Sequence, residues 1–170
     1  VNVMRWKNLM SYGARFTEVS LDKSPNTLII GTNGAGKSTV LDALTFSLFG
    51  KPFRNVNKPQ IVNSINQKDC VVEIEFEVGK KHYKVCRGLK PSLFEIYLNG
   101  TLIDQTAKKS DQQKWLEQTV LKLNYKTFCQ VVVLGSASYI PFMELTAASR
   151  RAVVEDVLDI QIFSLMNILL

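Results

Sequence analysis

The chain has 170 residues, 46% of them hydrophobic and 21% charged, which is the composition of one folded domain rather than of a disordered segment. It contains no run of about 18 or more apolar residues, so the sequence predicts no membrane span. The formal net charge of +6 favours anionic partners, nucleic acid first among them, although a solvated basic surface would give the same charge. Three widely spaced cysteines and a single histidine offer no zinc site and suit a reduced, cytoplasmic protein.

The first half of the chain alternates strand and turn signals. Alternating apolar and polar residues predict strands over 1–7 and 15–21, with a turn at 22–26. Residues 28–30 are apolar, and the stretch 27–30 predicts a short buried strand. A helix is predicted over 39–49, because one face carries Val40, Leu41, Leu44 and Leu48, and Gly50 and Pro52 stop it.

A glycine-rich stretch joins that predicted strand to that predicted helix. It begins with Gly31, and after four residues Gly36, Lys37 and Ser38 follow, which is the phosphate-binding loop pattern. At the helix N-terminus, unpaired N–H groups and the helix dipole converge on an anion. Lys37 can reach the β- and γ-phosphates, and the Ser38 hydroxyl can hold Mg²⁺. The loop therefore predicts a nucleoside triphosphate site formed by Asn33, Gly34, Ala35, Gly36, Lys37, Ser38 and Thr39.

After a basic connector at 51–58 comes a block rich in strand signals. Residues 71–78 alternate, 79–81 make a turn, and 82–87 return as the partner strand. Residues 94–98 form another strand, which ends in the hairpin pair Asn99-Gly100. The sequence predicts an antiparallel meander beside the phosphate-loop unit.

The remaining third is predicted to be mainly helical. Ser110, with Gln113 three residues later, opens one helix, and residues 125–129 form a helical turn. A short buried strand is predicted over 130–134 and a loop over 135–138. Thr146 opens the last helix, which carries apolar pairs on its inner face.

A complete nucleotide hydrolase of this type also needs an apolar strand ending in Asp or Asp-Glu. Residues 71–73 do not qualify, because glutamates alternate along the exposed face of a hairpin. Residues 152–156 resemble such a strand, but their flanks have helical spacing, which predicts a solvated helix face. We find no credible acidic strand, and we expect it to lie far downstream. The chain does not begin with Met and ends in uncapped apolar sequence, so we expect it to be the N-terminal piece of a longer protein.

The order of these parts resembles the N-terminal half of an ABC-type ATPase head of the SbcC and SMC-like class. More closely, it resembles the ATPase subunit of the double-strand-break repair nuclease of tailed phages. The resemblance covers nearly the whole chain and is carried by residues 7–12, 31–39, 41–54, 130–135 and 141–143, by Arg150-Arg151 and by the acidic-apolar helix at 154–160.

The resemblance implies an α/β P-loop NTPase fold, with an ABC-type N-terminal lobe over residues 1–158. It implies that residues 159–170 begin a helix leading towards a coiled coil. The implied cofactors are ATP and Mg²⁺. The implied partners are the C-terminal half of the same protein, a second copy of the head across ATP, a nuclease subunit, and DNA bound mainly through its phosphates.

The resemblance also implies further site residues. Gln130 would be the Q-loop glutamine, a catalytic residue that contacts Mg²⁺ and senses the γ-phosphate. The alternative is that Gln130 is an ordinary polar residue at the start of a buried strand. Ser11 would lie near the nucleotide, and Asn63 and Ser64 would approach the base or ribose.

Three functions stay open at this point. The first is an ATPase half-head that powers DNA-end processing with a nuclease; the second is an SMC-like DNA tether without a nuclease. The third is a stand-alone kinase, which the missing acidic strand disfavours. Two basic sets are candidate DNA contacts, with solvated turns as the alternative: Lys51, Arg54 and Lys58, and Lys80, Lys81, Lys84 and Arg87.

Overall fold

A computed structural model describes residues 1–103, 108–133 and 140–158 of the chain. The chain divides into two compact units, Val1–Lys109 and Ser110–Leu170. The first unit contains the sheet and the glycine-rich loop. The described residues of the second unit form mainly helices.

The first unit is built on one six-stranded antiparallel sheet. The strands are β1 Val3–Lys7, β2 Thr17–Ser20, β3 Cys70–Val78, β4 Lys81–Leu89, β5 Leu93–Leu98 and β6 Thr101–Leu102. They lie in the order β2-β1-β3-β4-β5-β6, so the two N-terminal strands extend the predicted meander at one edge. Trp6 pairs with Val72 across β1 and β3, and Val85 pairs with Ile96 across β4 and β5. The predicted meander is confirmed.

One face of this sheet packs against helix α1, Thr39–Phe49. Alternation along β3 turns Val72, Ile74 and Phe76 inward, where each is buried, and leaves the glutamates between them half-buried on the other face. The α1 helix ends where the sequence predicted. Gly50 adopts φ 71° and donates its N–H to the Phe46 carbonyl over 2.8 Å.

A short helix, α2, Lys58–Ile61, follows α1 in the first unit. Asn57 caps it, and the Gln60 side chain accepts a hydrogen bond from the Asn57 backbone, which completes a capping box. This capping box fixes the backbone at Asn57, where the connector between α1 and α2 joins α2.

The predicted buried strand at residues 27–30 is wrong. These residues form no strand, and the relative exposure of Leu28 is 86% and that of Ile30 81%. A strand needs a neighbour to satisfy its backbone groups, and none of the described strands pairs with this segment. Its apolar composition alone therefore does not make it a strand.

The second unit contains α3, Lys109–Trp115, whose first residue still belongs to the first unit, and it continues as a π-helical segment, Leu116–Leu121. Helix α4, Tyr125–Val131, is capped by Asn124, and helix α5, Ala147–Val157, by Thr146, as predicted for the latter. The two helices contact each other, and the backbone N–H of Asn124 donates to the Asp156 carboxylate over 3.2 Å.

The predicted strand over 130–134 is wrong where it is described. Gln130 lies in the last turn of α4, Val131 ends that helix, and Val132 follows it half-exposed. The Asn124 side chain accepts from the Thr127 N–H over 2.9 Å, so a capped helix overrides the β-branched run. Leu134, the predicted loop at 135–138 and the predicted helix at 159–170 lie outside the described residues.

The look-alike acidic segment at 152–156 lies within α5, as its helical spacing predicted. In the part of the chain that the structure describes, no helix has the length and apolar character needed to cross a membrane.

Candidate nucleotide-binding site

The glycine-rich loop lies at the N-terminus of α1 and opens onto a pocket of about 550 Å³. Three pieces of the first unit form its walls: the turn after β1, the loop itself, and the connector between α1 and α2. Of the described residues that line it, only Lys37 and Arg54 carry charge, and both are cations. The lining residues are Met10, Ser11, Asn33, Gly34, Gly36, Lys37, Ser38, Thr39, Arg54, Val56 and Gln60.

The backbone of the loop depends on glycine at two positions. Gly34 has φ 83° and Gly36 has φ 92°, the left-handed region that side chains disfavour. At Gly36 a Cβ would also lie 2.6 Å from the Tyr12 hydroxyl. Tyr12 reaches the loop from the turn after β1, and its ring packs edge-on against buried Trp6 with centroids 5.4 Å apart. The sheet thus supports the loop through Tyr12, a residue that was not predicted as part of the site.

The predicted polar groups of the loop face the pocket. Lys37 Nζ donates to the carbonyls of Gly31 (2.7 Å) and Thr32 (2.8 Å), so its charge lies over the first turn of the loop. An ammonium has a third N–H to offer. Ser38 caps α1 without a side-chain hydrogen bond, so its hydroxyl is available to a ligand. Ala35 belongs to the loop but does not line the pocket.

Arg54 is the second cation of the pocket, and a buried carboxylate holds it. Asp42 of α1 is 0% exposed and accepts hydrogen bonds from the backbone N–H of Arg54 over 2.9 Å and from its Nε over 2.7 Å. Arg54 Nη2 lies 2.6 Å from the same carboxylate. The sequence places Arg54 only among candidate DNA contacts, because nothing in it ties this arginine to a helix residue twelve positions earlier.

The turn after β1 brings Ser11 to the pocket, together with Met10. Asn63 does not line the pocket. Its buried amide donates to the carbonyls of Met10 (3.0 Å) and Tyr12 (3.1 Å), and its oxygen accepts from two following backbone N–H groups. Asn63 therefore shapes this turn, and its predicted approach to the base or ribose stays a prediction. Ser64 is exposed and also does not line the pocket.

Gln130 lies in the second unit, at the C-terminal turn of α4. Its Oε1 atom is buried and has no hydrogen-bond partner among the described residues. Its predicted role towards Mg²⁺ and the γ-phosphate stays a prediction.

The members of the two basic sets differ in what their side chains contact. Lys84 lies 2.9 Å from a Glu73 carboxylate oxygen, and Arg87 donates to the Ser47 carbonyl and lies 3.8 Å from the Phe94 ring. Both are engaged within the first unit, as Arg54 is. Lys51, Lys80 and Lys81 are exposed, and the side chain of Lys58 lies outside what the structure describes.

The chain is similar in sequence to a known family and to several known proteins. A family model described as an AAA domain matches residues 4–163. The chain is 48% identical over 160 residues to "Exonuclease subunit 2" of Enterobacteria phage T4, an alignment that covers 94% of this chain and 28% of the phage protein. It is 27% identical to a "Probable DNA double-strand break repair Rad50 ATPase" of Aquifex aeolicus, over 75% of this chain and 13% of that protein.

A solved structure has the same fold. It comes from work described as "Structural biochemistry of ATP-driven dimerization and DNA stimulated activation of SMC ATPases", and it superposes with a TM-score of 0.59 at 18% identity, over 92% of this chain and 98% of that one. The resemblance to the SbcC and SMC-like class and the predicted P-loop fold class are confirmed. The chain spans about a quarter of the length of the phage relative.

Proposed function

The chain belongs to the AAA domain family, and on that premise we propose that it is the ATP-binding N-terminal half of a DNA repair or recombination ATPase that works with a nuclease subunit on DNA ends. One observation carries the proposal. The glycine-rich loop lies at the N-terminus of α1 and lines a pocket whose charged residues, among those described, are both cations. Such a pocket suits a polyphosphate.

Two groups hold the nucleotide's charge in this proposal. Lys37 offers its remaining N–H to the β- and γ-phosphates. The backbone N–H groups of the loop surround the phosphates and donate to them. Mg²⁺ fits the donor set, because it binds through a few protein oxygens plus phosphates and water, and the Ser38 hydroxyl is such an oxygen. When bound, the ion neutralises phosphate charge.

Gln130 is proposed to contact Mg²⁺ and to sense the γ-phosphate. A carboxamide suits this role, because its oxygen can ligate a metal while its NH₂ group donates to phosphate or water. The Gln130 Oε1 atom is buried and has no partner among the described residues, so it is available to ligate a metal ion. In the full-length protein, Gln130→Leu should leave ATP affinity within a few-fold and lower turnover.

The partners are proposals of the same kind. The phage relative is named as an exonuclease subunit, which favours a nuclease partner over a nuclease-free tether. The structural neighbour is described in terms of ATP-driven dimerization of SMC ATPases, which supports a second copy of the head as a partner. Co-purification of the full-length protein with a two-metal phosphoesterase subunit supports the proposal, and a full-length protein that clamps DNA without one favours the tether.

Nucleotide titration tests the binding site. ATP affinity is measured for the full-length wild type, for Lys37→Ala, and for Lys23→Ala, which removes an exposed lysine in the turn at 22–26. We expect Lys37→Ala to abolish measurable binding and Lys23→Ala to leave it unchanged. Equal affinities of the wild type and Lys37→Ala would refute the site.

The rate of ATP hydrolysis tests the proposal that this chain holds only part of the catalytic site. The 170-residue chain alone should hydrolyse ATP far more slowly than about 1 s⁻¹, a usual lower range for enzymes, because no acidic strand is found in its sequence. Steady-state turnover at that rate by this chain would mean that it holds a complete catalytic site.

A further inference from the structure

We propose that Tyr12 is a positioning residue of the nucleotide site. Its hydroxyl sets the direction in which the Lys37 backbone N–H points, and that N–H donates to the β-phosphate. The inference rests on the proposed function, because it concerns the same glycine-rich loop. It gives a task to a side chain that does not line the pocket and acts on the nucleotide only through the loop.

The turn after β1 holds Tyr12 as a fixed support. Its backbone N–H donates to the Leu9 carbonyl over 2.9 Å, and its carbonyl accepts from the buried Asn63 amide over 3.1 Å. Its ring packs edge-on against Trp6, which is fully buried in β1, with the ring centroids 5.4 Å apart. Three separate contacts thus hold the backbone and the ring, so the hydroxyl at the end of the ring has little freedom to move.

The hydroxyl end of Tyr12 occupies the place that a side chain would take at Gly36. A Cβ at Gly36 would lie 2.6 Å from the hydroxyl, 2.7 Å from Cε2 and 2.9 Å from Cζ, so its three nearest atoms all belong to Tyr12. The hydroxyl also donates to the Gly36 carbonyl over 3.4 Å. The Thr39 N–H donates to the same carbonyl over 3.0 Å. Tyr12 and the first residue of α1 therefore fix the direction of this carbonyl.

The Gly36 carbonyl and the Lys37 N–H belong to one peptide plane. In a trans peptide bond the two groups point in opposite directions, so a carbonyl held towards Tyr12 turns the N–H away from it. The Lys37 N–H has no hydrogen-bond partner among the described residues, and both Gly36 and Lys37 line the pocket. Backbone N–H groups of such a loop donate to the α- and β-phosphates. Tyr12 thereby presents a phosphate donor to the pocket without entering it.

The test measures ATP and ADP affinity by titration calorimetry on the full-length protein. The variants are Tyr12→Phe, Tyr12→Ala, Gly36→Ala and the double variant Tyr12→Ala/Gly36→Ala. Tyr97→Phe is the matched control, because it also removes a hydrogen-bonded hydroxyl, which donates to Glu95 over 2.9 Å in β5, outside the pocket. Thermal unfolding without nucleotide is recorded for every variant.

Tyr12→Phe should weaken ATP and ADP by the same factor, about twofold to tenfold, because both nucleotides carry the β-phosphate and one neutral hydrogen bond is lost. Its melting temperature should fall no more than that of Tyr97→Phe, because the ring stays in place. Tyr97→Phe should leave both affinities unchanged. The loss of affinity caused by Gly36→Ala should be smaller by about threefold or more when Tyr12 is Ala, because the close contacts of the added Cβ are with Tyr12.

Three results would overturn the inference. The first is wild-type affinity for both nucleotides in Tyr12→Phe. The second is an equal loss from Gly36→Ala with and without the Tyr12 ring, which would mean that Tyr12 does not act through the loop. The third is a loss confined to ATP, which would place the affected contact at the γ-phosphate.

Two further comparisons keep the outcome clear. Tyr12→Phe keeps the ring, so it decides the question if Tyr12→Ala fails to fold. Lys37→Ala separates this inference from the proposed function: if it abolishes binding while Tyr12→Phe binds like the wild type, only the role of Tyr12 fails. If Lys37→Ala binds like the wild type, both fail.

Discussion

The antiparallel sheet and the segment at residues 27–30 belong to the same unit and have similarly apolar sequences, yet they differ in structure. In β3, Ile74 is fully buried and hydrogen-bonded neighbours lie on both sides. In the segment before the loop, Leu28 and Ile30 are more than four-fifths exposed and unpaired within the described chain. A strand-forming pattern becomes a strand only where a second strand is present to receive its backbone.

The sheet and the glycine-rich loop also differ in the contacts that support them. The sheet is stabilised by its own side chains and by α1. The loop, in contrast, is supported at a few points: Tyr12 lies against Gly36, and Arg54, which Asp42 holds, lies against Thr39 at the end of the loop. The sheet should therefore respond to substitutions in stability, and the loop in ligand affinity.

The largest effect should come from the sheet core. Ile74→Ala removes three side-chain carbons from a fully buried site, and we expect it to lower the free energy of unfolding by about 2–5 kcal/mol. Val78→Ala, at the exposed end of the same strand, should cost no more than about 0.5 kcal/mol. Urea denaturation of both variants measures the contrast, and equal losses would mean that β3 is not part of the core.

The loop should respond in affinity. Gly36→Ala places a Cβ 2.6 Å from the Tyr12 hydroxyl at a φ of 92°, so the loop must distort. Strain of about 1–3 kcal/mol converts to a loss of ATP affinity of roughly fivefold to 150-fold. Gly13→Ala is the control, because a Cβ there meets nothing within 4 Å. If titration shows that Gly36→Ala binds ATP as well as Gly13→Ala does, Tyr12 does not constrain the loop.

The buried thiols of the sheet should show an effect that is absent below about pH 9 and appears only at higher pH. Burial raises the pKa of Cys70 and of Cys86 to about 12, and nearby Glu73 adds to the shift at Cys86. The folded protein keeps both protons while the unfolded chain loses them above its ordinary pKa near 9. The stabilisation is therefore complete below about pH 9 and is lost as the pH rises towards 12.

The expected slope is about 1.4 kcal/mol per pH unit for each thiol above pH 9. Urea denaturation at pH 8, 9.5 and 10.5 measures it, and the Cys70→Ala/Cys86→Ala variant gives the slope without the two thiols. An identical slope in that variant would show that the two thiols are not the cause.

The parts predictable from sequence were those whose partners lie close by in the chain. The meander, the stop of α1 at Gly50 and the Thr146 cap each depend on neighbouring residues. Other features depend on distant residues. The sequence does not show that Asn63 shapes the turn at Met10 and Tyr12, or that Asp42 holds Arg54. Nor did the valine run after Gln130 reveal that Asn124 caps a helix through it.

The smallest effect in this chain should come from the exposed segment, and it is the sharpest test of the comparison. Leu28→Ser and Ile30→Ser remove apolar groups that are already in water, so in the 170-residue chain they should change the free energy of unfolding by less than about 0.5 kcal/mol. If the full-length protein supplies a neighbouring strand, the same residues become core there. The full-length variants should then lose about 2–5 kcal/mol, because a buried apolar side chain is removed. Urea denaturation of both forms measures the two losses. Equal, small losses in both would mean that residues 27–30 stay outside any sheet, and that the loop is supported by Tyr12 and Arg54 without a strand behind it.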